Sequence, residues 1–277
     1  MHADSVSFCP ALHIGQAIKT RLWWLLGTVV LCGIGEVIGW GGRLWSSLKP
    51  GTHDAFLMQI TTTIIAPTFL LAVSFVTLAR IIRVVGPQYS RLSPAAYSYI
   101  FITADVAALL VQAVGGSQAS AAETLEDANK GGKVMLGGIA LQFAALVIYV
   151  IVAAEFLLRV IQDRPVRPVP PGYAERREKL DRKVKLMILG LAISAVFIFI
   201  RTVYRTIELN DGWNGKIITK QSLFNWLDGM PICVAMFTLN FLHPGWLVFN
   251  KDRVLPGTPA DAEKLANASQ QSTMPTM

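Results

Sequence analysis

Six segments of this chain are each long and apolar enough to cross a bilayer, a span that takes about 20 residues. They lie at 22–40, 57–79, 97–115, 134–158, 184–203 and 226–249. Backbone polar groups in the hydrocarbon core find no water, so a spanning segment must satisfy them internally. Uninterrupted apolar runs of this length do so as helices. The loops between them are mostly 15 to 25 residues long, so no soluble domain is expected. Only 16% of the residues are charged, against about 25% in a typical soluble domain. The expected fold class is therefore all-α, a multi-pass transmembrane helix bundle occupying residues 1–250.

The chain carries a net charge of +7, which in a soluble protein would suggest nucleic acid as a partner. Here the positive charge follows topology instead. Of the 25 lysines and arginines, 17 fall in the N-terminal segment, the loops at 80–91 and 159–185, and the tail. By the positive-inside rule these regions face the cytosol. The reading is an integral membrane protein, placed in the plasma membrane, with a cytoplasmic C-terminus and no nucleic-acid partner. The basic loop at 159–185 serves orientation and attraction to anionic headgroups. Residues 251–277 are polar, rich in Ala, Ser, Thr and Pro, and expected to be a disordered cytoplasmic tail. The sequon at Asn267 lies in that tail and is expected to carry no glycan.

Against this apolar background a few polar residues stand out. Arg201, Arg205 and Glu208 end the fifth segment at i, i+4 and i+7, so they share one helical face. Charge at membrane depth is costly and turns toward a partner, a cavity or the bundle interior. The orientation above brings Glu36, Gln59, Gln112, Gln142 and Asp228 to a similar level in the outer half of the bilayer. Asp105 lies near mid-depth. Two arrangements fit this pattern. The charges can pair with one another and fix helix packing. Alternatively they line a cavity open to the outer leaflet, where arginines suit phosphate or carboxylate and acids suit an amine. Glu155 and Arg159, four apart at the inner end, form a structural pair. Pro67 and Pro231 interrupt two of the segments and free nearby carbonyls.

Other chemistries find little support. The four histidines are dispersed, with no HExxH, and the three cysteines form no CxxC, so no metal or cofactor is expected. There is no GxSxG and no nucleotide-binding loop, and the chain is not read as an enzyme. A haem role for His243 would need a second histidine facing it, which the sequence does not identify.

Several stretches together resemble a known family. In order they are Glu36-Val-Ile-Gly39-Trp40, Met58-Gln59 with Ala66-Pro67, Leu78-Ala-Arg80, and Ile100-Phe101 leading to Asp105. They continue with Gln112-Ala-Val-Gly115-Gly116, Gly137-Gly138 leading to Gln142, Arg201-Thr-Val-Tyr204-Arg205-Thr-Ile-Glu208, Asp228-Gly-Met-Pro231 and His243-Pro244-Gly245. The series resembles the fungal lipid-translocating exporters, the RTA-like or resistance-to-aminocholesterol proteins. The resemblance implies a seven-helix fold of which six complete helices are seen here, the first reduced to a remnant at 9–19. It also implies translocation or export of lipids or toxic amphiphiles, such as sphingoid long-chain bases or phospholipids, linked to drug and stress resistance. Its partners would be membrane lipids and an amphiphilic substrate. A heptahelical lipid receptor is the alternative, with porphyrin or haem transport and an intramembrane lipid hydrolase behind it. The chain departs from the family pattern at Gln221, Asn225 and Trp40, where a glutamate and two tyrosines are usual.

Overall fold

A computed structural model describes residues 2–49, 53–168, 180–213 and 215–249. The tail at 251–277, its sequon at Asn267 and the centre of the basic loop lie outside the described residues. Among those described, the chain is helical with no strand. The helices are α1 (His2–Thr20), α2 (Leu31–Leu48), α3 (His53–Val85), α4 (Pro94–Ser120), α5 (Leu125–Gln162), α6 (Arg182–Asp211), α7 (Gln221–Phe224), α8 (Met230–Phe241) and α9 (Pro244–Leu247). A 3-10 turn (Trp23–Leu25) and a π turn (Leu26–Val30) lead into α2, and a second π turn (Asn225–Gly229) joins α7 to α8.

Six helical stretches are long and apolar enough to cross a membrane: Trp23–Leu48, Asp54–Val85, Pro94–Ser120, Leu125–Gln162, Arg182–Asp211 and Gln221–Leu247. They coincide in order with the six apolar segments, and each starts earlier or ends later than hydropathy alone indicates. The reason is local chemistry at the helix ends. Ser93 caps α4 by accepting from the Ala96 amide, with Pro94 in the first turn. Thr124 caps α5 by accepting from the Asp127 amide. At the other end of α5, Asp163 takes a left-handed conformation (φ 55°) that closes the helix. Hydropathy marks where lipid begins, whereas hydrogen bonding continues until a cap stops it.

The helices pack as neighbouring antiparallel pairs, α2 with α3 and α4 with α5, while α6 lies against α5 and α8. α3 is the central element: 72% of its apolar window is buried, against 22–44% for the other five spans. α1 is a seventh helix, laid against α2 and α8. Gln16 Nε2 donates to the Asn240 carbonyl (3.0 Å), and Asn240 Nδ2 contacts Cys9 Sγ (2.8 Å), which ties α1 to α8. The segment read as a remnant at 9–19 thus belongs to a longer helix built into the bundle.

Two features hold α3, α4 and α5 together. One is an aromatic cluster in which Phe75 packs on Phe101 (5.2 Å between centroids) and Tyr149 (4.9 Å). Tyr149 also donates to the Ser74 carbonyl (3.2 Å). The other is a close crossing of α4 and α5 at glycines. A Cβ on Gly115 would lie 2.7 Å from the Gly131 carbonyl oxygen, and one on Gly131 would lie 2.8 Å from that of Gly115. Small residues at such crossings let backbones approach where lipid gives no hydrophobic drive for association.

Candidate functional site: a buried charge cluster on three helices

The site begins with a missing hydrogen bond. Pro67 stands inside α3 and has no N–H, so the carbonyl four residues earlier, on Thr63, lacks its helical partner. Arg201 of α6 supplies one: its Nη2 donates to the Thr63 carbonyl at 2.5 Å. Its Nη1 donates to the Asp228 carbonyl (3.1 Å), within the π turn that precedes Pro231. One guanidinium thus joins α6 to the proline-interrupted turn of α3 and to the π turn before α8.

The carboxylates gather around this joint. Arg205 makes a fork to Asp228, Nε to Oδ1 at 2.5 Å and Nη2 to Oδ2 at 2.8 Å. Its Nη1 donates to Glu208 (2.8 Å) and its Nη2 also to the Thr63 hydroxyl (2.7 Å). Tyr204 donates to the second oxygen of Glu208 (3.0 Å). Arg201 Nε lies 3.2 Å from Asp228 Oδ1 and its Nη2 lies 2.9 Å from Glu36 Oε1. The contact with Glu36 has ion-pair distance without hydrogen-bond alignment, so neither Glu36 oxygen has a hydrogen-bond partner among the described residues. All five charged residues are at most 3% exposed.

Three carboxylates therefore meet two guanidiniums within the buried network. A third guanidinium waits at its edge. Arg43 is half-buried and stacks on Phe224, 4.1 Å from the ring centroid, and Arg205 stacks on the same ring at 5.0 Å. Beside Arg201 and Arg205 lies a cavity of about 20 Å³, lined by Thr63, Gln142 and Thr202 among others. That is room for about one water molecule.

Of the nine residues singled out in the sequence, Glu36, Arg201, Arg205, Glu208 and Asp228 meet here. Gln59 contributes through its backbone, its carbonyl accepting from the Thr63 hydroxyl (2.8 Å). Gln112 and Gln142 form an adjoining bridge. Gln112 Nε2 donates to Gln142 Oε1 (3.1 Å), and Gln142 Nε2 donates to the Thr68 hydroxyl (2.9 Å), linking α4, α5 and α3. Gln142→Leu should lower stability by about 0.6–2 kcal/mol, the usual range for interhelical polar contacts in membranes. A thermal unfolding midpoint in detergent equal to that of wild type would show the bridge to be idle.

Asp105 does not join either group. It is buried, and both its oxygens lack a hydrogen-bond partner among the described residues. Thr63 and Thr68 are members that the sequence reading did not assign, while Tyr204 is visible in the sequence beside Arg201, Arg205 and Glu208 without a role of its own. A signal for Thr63 existed, since it lies four residues before Pro67. At the opposite end, Glu155 pairs with Arg159 (2.7 Å) as expected and also with Arg91 (2.7 Å). His243 has a facing histidine after all: His13 of α1 lies 6.4 Å away between ring centroids.

A model of the RTA1-like proteins matches residues 29–251, which contain every residue of the charge cluster. The chain belongs to the RTA1-like family. It is 32% identical over 276 residues to the sphingoid long-chain base transporter RSB1 of Saccharomyces cerevisiae (strain ATCC 204508 / S288c), covering 91% of this chain and 72% of that protein. It is 23% identical over 209 residues to the protein RTA1 of the same strain, covering 74% of this chain and 62% of the relative. It is 24% identical over 210 residues to that strain's protoporphyrin uptake protein 1, covering 74% and 64%. No solved structure matches. As an RTA1-like protein with six apolar spanning helices, the chain is an integral membrane protein.

Proposed function

We propose that this chain is a transporter that moves single-chain, amine-bearing lipids of the sphingoid-base type across the membrane, and that it is not an enzyme. The observation that carries the reading is the kinship with RSB1, 32% identity over 91% of the chain. The charge cluster supports the choice of an amine. Its three buried carboxylates are matched by two buried guanidiniums, and the balancing third, Arg43, is held by an aromatic ring rather than by a carboxylate. An incoming ammonium group can take the place of Arg43 at the edge of the cluster without leaving net charge buried. In this reading Glu36 is the acceptor, because its oxygens are not already committed to hydrogen bonds. Asp228 and Glu208 hold the arginines, and Gln59, Gln112 and Gln142 are the neutral partners. The distribution of basic loops supports a reading with the cluster in the outer half of the bilayer and the C-terminus in the cytosol, and the plasma membrane is proposed as the site of action.

The test is reconstitution of the purified chain in vesicles with a fluorescent long-chain base, following its transfer between leaflets. Wild type should accelerate transfer over protein-free vesicles. Glu36→Gln should lose about tenfold of that acceleration, a differential of roughly 1.4 kcal/mol, in protein that still elutes as a monodisperse peak on size exclusion. Transfer no faster than in protein-free vesicles would remove the transport reading, and binding without transfer would favour a receptor.

A further inference from the structure

The charge cluster accounts for the polar residues but leaves a larger feature unused. A cavity of about 340 Å³ opens between α5 and α6, with Leu78 of α3 among its lining residues. Its walls are apolar. It is hollow because Ala153 and Ala154 of α5 stand across from Ala192 and Ala195 of α6. Val196 and Phe199 at its rim are 57% and 42% exposed, so the cavity opens sideways toward the surrounding lipid.

This groove runs in register with the small polar cavity. On α5, Gln142 lines the polar cavity and Tyr149 the groove; on α6, Thr202 lines the first and Ala195 the second. Each pair is seven residues apart and shares a helical face. On α3, Pro67 and Leu78 are eleven apart, about three turns, and also share a face. All three walls therefore continue from one cavity into the other. Along α6 the groove extends from Ile188 to Ile200, about 18 Å of helix rise. That slightly exceeds half of the roughly 30 Å hydrocarbon core, the reach of one leaflet's chain.

We propose that the α5–α6 groove binds the alkyl chain of a single-chain amphiphile, with its polar end at the Thr202–Gln142 end of the groove, beside Arg201, which in turn contacts Glu36. This deepens the transport reading and rests on it for the identity of the headgroup. The volume selects one chain. At 340 Å³ the groove is at the lower end of the roughly 300–1,000 Å³ of ligand pockets, which suits a single alkyl chain better than the two chains of a phospholipid or a tetrapyrrole. The apolar walls select the chain, and the polar cavity at one end sets its direction.

The experiment uses the full chain in lipid nanodiscs and a long-chain alkylamine carrying a photoactivatable diazirine near the end of its tail. Labelled peptides are mapped by mass spectrometry. Label should concentrate around Ala154 and Leu191, and an unlabelled long-chain amine should compete for it while phosphatidylcholine should not. Ala154→Phe with Ala192→Phe fills the groove from exposed positions and should cut labelling there about tenfold. Labelling of lipid-facing Leu110 on α4 should be unchanged. Val196→Trp, at the rim and away from the packed interior, should have the same effect if the double variant does not fold. Label spread evenly over the lipid-facing helices and unaffected by either variant would mean bulk lipid fills the groove, and would overturn the proposal. Groove labelling without transfer between leaflets would spare the groove and remove the transport reading; transfer without groove labelling would do the reverse.

Discussion

Arg205→Ala should destabilise the bundle by about 3–5 kcal/mol, the range found when one partner of a buried ion pair is removed. The size follows from what is left behind. Asp228 would lose both arms of the Arg205 fork, Glu208 would lose its guanidinium, and the Thr63 hydroxyl would lose its donor. None of these groups can turn to water, because all are buried. Arg201 compensates only in part, since its Nε already lies 3.2 Å from Asp228 Oδ1 and its Nη groups are held by the Thr63 and Asp228 carbonyls. Arg205→Lys should fall between the two, keeping the charge but not the two-pronged geometry. The measurement is the thermal unfolding midpoint of purified protein in detergent, read with monodispersity on size exclusion. An alanine variant that melts with wild type would mean the network carries little of the fold's stability.

The second large effect is expected at the α4–α5 crossing. Gly115→Val should separate the helices, because even a single methyl group would meet the backbone of Gly131 and Met135 rather than a side chain that can swing aside. Overpacking a core usually costs about 1–3 kcal/mol, and a backbone obstacle places this case at the upper end. The same displacement would pull Gln112 from Gln142, since they bridge these two helices. Gly137→Val is the control, because a Cβ there meets nothing within 4 Å. Equal melting of the two variants would show that the crossing tolerates separation.

The contrast between charge and an apolar run made much of this architecture readable from residues alone. Arg201, Arg205 and Glu208 could be assigned to one face because helical spacing is fixed, and Glu36 and Asp228 could be brought to the same level by counting along spans of known direction. Counting gives depth and not rotation. Asp105 shows the difference: depth alone did not reveal that its carboxylate stands apart from the hydrogen-bonded network. Rotation is hard to read here because lipid and protein interior are both apolar, so hydropathy does not mark the inward face. The partners were hidden for a related reason. Nothing in the run Thr61-Thr62-Thr63 distinguishes the threonine that meets two arginines, except its distance from Pro67. The pairing of His13 with His243 joins residues 230 positions apart and leaves no local trace. The α5–α6 groove was equally invisible, since its alanines are ordinary residues of apolar helices until two of them face two others.

The hydrogen bond from Arg201 to the Thr63 carbonyl has a consequence for how the chain enters the membrane. Helices are made in order, so α3 reaches the bilayer with a carbonyl that Pro67 has left bare, and two helices, α4 and α5, are made before α6 arrives. A bare backbone group in hydrocarbon costs several kcal/mol, and an arginine within an apolar span is costly as well. Apolar as both helices are, each carries one polar group that the other satisfies. The completed bundle is therefore more at home in lipid than its parts.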